Sequence, residues 1–258
     1  MNRIKKAFSN GKAFISFITG GDPDLETTKE LILAMEEAGA DLIEIGIPFS
    51  DPIAEGAVIQ EANERALSSG CTTDKLFDAI HEIKEKVSVP LVFLTYINPI
   101  YTYGKERFFK RCVECGIDGI IVPDLPFEEK EELAQESSRY EVKLISLIAP
   151  TSNERIRMIA SQAEGFIYCV SSLGVTGVRT DIQTDITSMI SMVREVTDTP
   201  CAIGFGISTP DQAKKFAALS DGAIVGSAIV KLVAQYGKES IEAVKAYVRD
   251  MKAAVSNA

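Results

Sequence analysis

Short apolar runs alternate with amphipathic stretches along almost the whole chain, and this alternation constrains the fold more than any other feature. Each apolar run predicts a buried β-strand. The stretches between the runs repeat apolar residues at the i, i+3 and i+4 spacing of a helix. Eight runs are found, at residues 13–19, 41–47, 90–96, 119–122, 143–149, 165–171, 201–207 and 222–225.

Eight β/α units in a chain of 258 residues match a (β/α)8 TIM barrel. We therefore predict an α/β fold with a single barrel domain over residues 1–258, because no Pro/Gly/Ser-rich linker or charge block divides the chain. The polar start at residues 2–10 predicts an extra N-terminal helix, and the segment after residue 225 predicts a short helix before the last barrel helix. A doubly wound sheet is the alternative, and it would need fewer strands and a reversal of strand order.

The composition and the charge argue against a nucleic-acid partner and against a membrane span. The net charge of −10 argues against a nucleic-acid partner, so a phosphate on a substrate would be held by local backbone donors. No apolar run approaches the roughly 18 residues of a membrane span. The N-terminus is too polar for a signal peptide, so a cytoplasmic location is expected.

The cysteines and the single histidine predict no metal or redox site. Cys112 and Cys115 form a C-x-x-C within a helical pattern, whereas a redox motif would follow a strand. Buried, reduced thiols are the favoured interpretation of all five cysteines. His81 lies beside the apolar face of its helix, which favours a solvated residue over a catalyst.

Glu44 is the main candidate for chemistry. It lies in the run 41–47, which is otherwise apolar on both faces, as in a parallel sheet covered on both sides. A carboxylate there is costly to bury unless it is paired or protonated. A structural carboxylate is the alternative, but the polar loop that follows, with Asp51 and Glu55, favours a functional one.

Two loops are longer than a plain β/α unit requires. The first spans residues 48–70, and the second spans residues 171–181 with glycines at Gly174 and Gly177. Both would lie at the C-terminal face of the barrel, where active sites occur. The second loop has the composition of a mobile lid, although an ordinary surface loop with turn glycines is the alternative.

Glycines late in the chain predict a phosphate site. Gly206 follows the seventh run, and Gly226 and Ser227 follow the eighth, where barrels commonly bind phosphate with a short helix. The N–H groups at such a helix start would hold an anion without a lysine. Gly204 and Gly206 do not form a dinucleotide fingerprint, because the third glycine is missing.

Several segments resemble the alpha subunit of tryptophan synthase, in order and over the full length. They are FITGGDP at 17–23, EIGIPFSDP at 44–52, PDLP at 123–126, YCVSSLGVTG at 168–177 and GFGIS at 204–208. The resemblance implies cleavage of indole-3-glycerol phosphate to indole and glyceraldehyde 3-phosphate. It also implies a beta subunit, in an alpha2beta2 assembly, that receives the indole and carries pyridoxal phosphate; no cofactor is implied for this chain.

The resemblance also assigns roles by position. It makes Glu44 the catalytic acid/base and places Glu55 at the second catalytic carboxylate, which holds the indole N–H. Asp51 and its loop resemble the region that faces the beta subunit. The remaining assignments are an indole pocket of Phe17, Ile59, Leu94, Ile121 and Phe205, bordered by Tyr168, lid residues Thr176 and Gly177, and a phosphate site of Gly177, Gly206, Gly226 and Ser227.

One position departs from the family pattern. The family usually has Asp-Gly-Pro where this chain has Glu55-Gly56-Ala57. Glutamate keeps the charge but adds a methylene, and loss of the proline loosens the loop. Misplacement by about 1 Å can cost about 100-fold in rate. This departure keeps open the alternative of a weak subunit that mainly activates a partner. Another sugar-phosphate barrel lyase or isomerase is the runner-up enzyme.

Overall fold

The computed structural model describes residues 3–170, 182–204 and 206–258, with the side chains of 182–185 left out. Its strands are β1 Ala13–Thr19, β2 Leu42–Gly46, β3 Leu91–Leu94, β4 Ile117–Ile121, β5 Lys143–Leu144, β6 Ser146–Ile148, β7 Ile167–Val170, β8 Cys201–Gly204 and β9 Gly222–Val225. Its helices are α1 Arg3–Ala7, α2 Leu25–Glu37, α3 Ala57–Ser68, α4 Thr73–Ile83, α5 Ile97–Tyr103, α6 Lys105–Cys115, α7 Glu131–Tyr140, α8 Asn153–Ser161, α9 Ile182–Arg194, α10 Pro210–Leu219, α11 Ser227–Tyr236 and α12 Ile241–Ser256.

The strands form a nearly closed parallel barrel, which confirms the predicted (β/α)8 fold and excludes the doubly wound alternative. From β1 to β5 and from β6 to β9, each strand pairs with the next one in chain order, and β1 also pairs with β9. The predicted N-terminal helix is α1, and the predicted helix before the last barrel helix is α11. Within the described ranges, no helix has both the length and the apolar character needed to cross a bilayer.

The fifth strand is broken, which the continuous run 143–149 did not predict. Its first part, β5, pairs with β4, whereas its second part, β6, pairs with β7. Ile145 lies between the two parts, and its N–H donates to the carbonyl of Ile120 at 2.9 Å. The chain thus changes partners within one strand, and this change brings the two edges of the barrel together.

Two strands, β3 and β8, end at least two residues earlier than predicted. The run 90–96 forms a strand only to Leu94, because Tyr96 caps α5, which begins at Ile97. The run 201–207 is a strand only to Gly204, and Gly206 then takes a positive φ of 76°. A left-handed residue does not continue a strand, so the predicted end at residue 207 was wrong.

Local signals fix the helix ends. Thr209 and Gln212 form a capping box at the start of α10, which satisfies donors that the helix leaves unpaired. Gly116 ends α6 in the left-handed conformation, with φ of 73°, as its Cys-Gly pair predicts.

Alternation along the strands gives the barrel two apolar layers. On β1, Phe14 and Ile18 face the helices, whereas Ile15 and Phe17 face the interior. Ile4 of α1 packs into the interior layer with Phe166. Helix α1 therefore fills the N-terminal end of the barrel and leaves the opposite end for a site.

Candidate active site

Glu44 lies inside the barrel in the middle of β2. Its register partners are Phe17 on β1 and Val92 on β3, so apolar side chains flank it on both sides. Glu44 is 1% exposed, and its Oε1 atom has no hydrogen-bond partner among the residues that the structure describes. Burial raises the pKa of Glu44 to about 8, so the carboxyl group is mostly protonated at neutral pH.

Tyr168 on β7 faces the same interior. Burial is the first cause that raises the pKa of the Tyr168 phenol, and the charge of Glu44 is the second. The phenol packs over Gly204, where any Cβ would overlap its ring. Gly204 thus gives the Tyr168 ring the space it occupies beside Glu44.

The predicted indole-pocket residues that the structure describes lie together. Phe17 and Ile59 belong to one buried apolar cluster, and Leu94 packs against it. Ile121 belongs to the adjoining interior cluster, against which Leu94 and Tyr168 also pack. The interior above Glu44 is therefore an apolar surface to which β1, β3, β4 and α3 all contribute.

The ring of Phe17 fits between two glycines. A Cβ on Gly46 would lie 2.9 Å from Cζ of Phe17, and one on Gly226 would lie 3.1 Å from its Cδ1. Both contacts would be closer than side chains normally tolerate. Gly226 thus supports the apolar pocket as well as the start of α11.

Glu55 lies half-buried in the loop before α3, and two residues of that helix hold it. The Asn63 side-chain amide donates to Glu55 Oε2 at 2.7 Å, and the Gln60 amide donates to the Glu55 carbonyl at 2.9 Å. Burial raises the pKa of Glu55, and hydrogen bonds from Asn63 and Tyr96 oppose that rise. The longer side chain therefore has a defined place in this loop.

Tyr96 supports the same loop from the other side. Its hydroxyl accepts a hydrogen bond from the backbone N–H of Ala54 at 3.1 Å, and its ring lies 5.3 Å from that of Phe49. Tyr96 is 2% exposed, and burial raises its pKa to about 12. Sequence reasoning missed Tyr96 and Asn63. The available signal for Asn63 was a polar residue one helical turn after Ile59, on the apolar face of α3.

Helix α3 is fixed to the first β/α loop by an ion pair. The Arg65 guanidinium donates to both carboxylate oxygens of Asp22, at 2.9 and 2.8 Å. Asp22 is 2% exposed, and this two-point geometry defines the orientation as well as the distance. The helix that presents Ile59 and Asn63 is therefore held at a set position against β1.

The predicted phosphate residues Gly206, Gly226 and Ser227 lie at the C-terminal end of the barrel. Gly226 caps α11, and its carbonyl accepts from the N–H groups of Ile229 at 2.8 Å and Val230 at 3.1 Å. The N–H groups of Ser227 and Ala228 precede these intrahelical bonds, so they are oriented to bind an anion. Gly206 is exposed, and apart from its neighbours in the chain no atom of the described residues would lie within 4 Å of a Cβ at this position.

Three predicted site residues lie outside the described residues. They are the lid residues Thr176 and Gly177 and the pocket residue Phe205. The proposed lid at 171–181 lies outside them as well.

The cysteines and His81 lie away from Glu44. All five cysteines are buried and free, and Cys112 and Cys115 lie within α6. His81 is exposed, and its Nδ1 lies 3.0 Å from the carbonyl of Glu114. Among the residues that the structure describes, no cluster of three or more histidine, cysteine or acidic side chains could hold a metal ion.

Comparison with known proteins agrees with the geometry. A family profile described as tryptophan synthase alpha chain matches residues 4–256. The alpha chain of Thermoanaerobacter sp. (strain X514) is 49% identical over 98% of this chain and 99% of its own length, and that of Lacticaseibacillus casei is 42% identical over 99% and 96%.

Solved structures give the same result. A crystal structure of tryptophan synthase subunit alpha from Legionella pneumophila superposes with a TM-score of 0.90, at 34% identity over 100% of both chains. A chain of tryptophan synthase from M. tuberculosis superposes with a TM-score of 0.88, at 28% identity over 99% of both. The chain therefore belongs to the tryptophan synthase alpha chain family, and it is a lyase of tryptophan biosynthesis.

Proposed function

We propose that this chain cleaves indole-3-glycerol phosphate to indole and glyceraldehyde 3-phosphate by a retro-aldol reaction. The observation that carries the proposal is Glu44, a buried carboxyl group that is mostly protonated at neutral pH and whose Oε1 has no partner within the described part of the chain. Such a group can donate a proton and then accept one, which the two halves of this reaction require.

The proton transfers follow from that state of Glu44. The protonated carboxyl group donates to C3 of the indole ring, and positive charge develops toward the ring nitrogen. The resulting Glu44 carboxylate accepts the proton of the glycerol hydroxyl as the carbon–carbon bond breaks and the aldehyde forms. Proton donation and acceptance balance, so Glu44 ends the cycle protonated.

The remaining groups of the site bind the substrate and stabilise the positive charge on the indole ring. Glu55 accepts the indole N–H and stabilises the positive charge that develops there. The apolar surface of Phe17, Ile59 and Leu94 packs against the indole ring. The N–H groups at the start of α11 and the open backbone at Gly206 bind the phosphate. We further propose that Ile121, Tyr168, Thr176, Gly177, Phe205 and Ser227 keep the roles that family resemblance gives them.

The indole passes to a beta subunit, which carries the pyridoxal phosphate, in an alpha2beta2 assembly located in the cytoplasm. Ile53 supports a docking surface on the loop after β2, because this large apolar side chain is 78% exposed. Asp51, exposed beside it, adds charge to that surface.

The test is indole release by the Glu44→Gln variant, measured with and without the beta subunit. The amide cannot exchange protons at neutral pH, so we expect indole formation to be abolished while binding of glycerol phosphate is kept. Glu64→Gln is the matched control, because Glu64 is exposed on α3. Near-normal turnover by Glu44→Gln would contradict the acid/base role. A wild-type chain that releases no indole yet stimulates the beta subunit would instead identify an activator.

A further inference from the structure

The position of Glu55 is set by α3 rather than by its own loop. The loop lacks a proline after Gly56, yet α3 holds Glu55 at two points, through Gln60 on the backbone and Asn63 on the side chain. On the other side, Tyr96 binds the preceding N–H of Ala54. These contacts supply a rigidity that the sequence of the loop does not.

Asn63 is unusual within this set because it is buried. It is 4% exposed, and its described hydrogen bond from the side-chain amide goes to Glu55 Oε2 at 2.7 Å. A buried asparagine is costly unless its polar atoms are paired, and a bond to a charged acceptor is stronger than one to a neutral group. Asn63 also lies one helical turn after Ile59, whose side chain packs against Phe17, the register partner of Glu44.

We propose that Asn63 is a positioning residue that orients the Glu55 carboxylate toward the indole N–H. This inference rests on the proposed function, because it assigns Asn63 a part in the same reaction. Asn63 contacts no reacting atom, and it acts through Glu55 alone. Its bond takes up one carboxylate oxygen of a side chain that is one methylene longer than aspartate.

The proposal predicts a particular change in pH dependence. The bond from Asn63 favours the charged form of Glu55, so its loss raises the pKa of Glu55 further. Because only ionised Glu55 stabilises positive charge, the acidic limb of the profile of kcat/KM against pH should move to higher pH in Asn63→Ala. We expect kcat to fall by about 10-fold or more, with a smaller change in KM.

A double-mutant cycle tests whether Asn63 acts through Glu55. In the Glu55→Gln background, Asn63→Ala should change kcat by less than about threefold, because the group it positions is already altered. The proposal would be overturned if the loss of kcat in the double variant equals the product of the two single losses and the acidic limb of the pH profile does not move in Asn63→Ala. Glu64→Gln on the exposed face of α3 is the control for unrelated effects of substitution on this helix.

A conservative variant guards the test against folding defects, and a titration without substrate makes it independent of catalysis. Asn63→Asp keeps the shape of the side chain but places a like charge beside Glu55, so it should move the acidic limb further than Asn63→Ala does. Titration of the ¹³C-labelled Glu55 carboxyl group by NMR, without substrate, should show its pKa raised in both variants. An unchanged Glu55 titration would disprove the bond on which the proposal depends. Absence of indole release by the wild type would instead overturn the proposed function, and with it the part played by Asn63 in that reaction.

Discussion

Phe17 and Glu44 are direct neighbours across β1 and β2, and both side chains point into the barrel. The aromatic ring of Phe17 belongs to the apolar lining of the barrel next to β2. Burial is accordingly the cause that raises the pKa of Glu44 to about 8. A proton on Glu44 is thus a property of the folded barrel, and it links the reaction to the stability of the protein.

Stability should therefore fall as the pH rises through this range. The pKa of Glu44 is about 8 in the folded state against 4.5 as its ordinary value, so the folded protein binds the proton more tightly. The stabilisation is fully present below pH 4.5 and is lost as the pH rises toward 8. Between pH 5 and pH 8 the loss from this one group is on the order of 3 kcal/mol.

Glu44→Gln isolates that contribution, because glutamine has nearly the same shape and never ionises. We expect the variant to unfold at a higher temperature than the wild type at pH 8 and at about the same temperature at pH 5. Thermal unfolding followed by circular dichroism at the two pH values measures the difference, with Glu64→Gln as control. A Tm difference that is the same at both pH values would exclude a protonated Glu44 in the fold.

Glu55→Asp tests how the loop accommodates the longer side chain. The family has aspartate at this position, and this pattern favours aspartate as the faster residue. The bond from Asn63 to Glu55 favours the opposite result, because the shorter carboxylate would withdraw from that donor. We expect kcat for indole release to fall by about 10-fold. A faster Glu55→Asp enzyme would show that the loop keeps a geometry suited to aspartate.

Alanine substitutions at Gly206 and Gly226 should differ in which ligands the variants bind more weakly. Alanine at Gly206 meets open space but must adopt a positive φ, which costs about 1–2 kcal/mol and displaces the local N–H groups. Alanine at Gly226 presses on Phe17 as well. Calorimetric titration should show that Gly206→Ala weakens glycerol phosphate binding alone, whereas Gly226→Ala weakens binding of both glycerol phosphate and indole. Equal loss of both ligands in Gly206→Ala would argue against the phosphate assignment.

Arg65→Ala should destabilise the protein more than loss of an exposed ion pair. It leaves the Asp22 carboxylate buried without its partner, and because Arg65 is itself one-third exposed we expect about 2 kcal/mol rather than the full cost of a buried pair. Arg155→Ala breaks an exposed pair with Glu128 and should cost less than about 1 kcal/mol. Urea unfolding of the two variants gives the comparison, and equal losses would contradict the anchoring role.

Ile53→Glu should weaken binding of the beta subunit without affecting the fold of this chain. The side chain is exposed, so the substitution removes apolar area only from the docking surface. Stimulation of indole release should require about 10-fold more beta subunit. Val113→Glu on α6, half exposed and away from this loop, is the control. Unchanged affinity in Ile53→Glu would place the contact elsewhere.

The sequence predicted most of the barrel because the strands are apolar on both faces. The bounds of β1 and β9 match the predicted runs 13–19 and 222–225. The break at Ile145 could not be seen, since a change of pairing partner leaves an apolar run unaltered. The early end of β8 depends on the φ of Gly206, which glycine permits but does not dictate.

The site was predictable only in part, because contacts between side chains are not visible in the sequence either. A carboxylate in an apolar strand is visible in the sequence, and Glu44 was found in that way. Asn63 and Tyr96 were not, because their importance lies in hydrogen bonds to the loop that the sequence does not show, from 8 residues away for Asn63 and 42 residues away for Tyr96. The place of the Glu55 side chain depends on the same contacts, so the sequence alone could not show how the longer side chain is accommodated.

Ile4 and Phe166 fill the N-terminal end of the barrel, and this determines the route by which a small molecule can reach Glu44. With the N-terminal end of the barrel filled, a molecule beside Glu44 has its open route at the C-terminal rim. In the proposed reaction, substrate entry, departure of the triose phosphate and transfer of indole would share that rim. A beta subunit docked at the loop of Ile53 would stand at the shared opening, where it could receive one product while the other is still leaving.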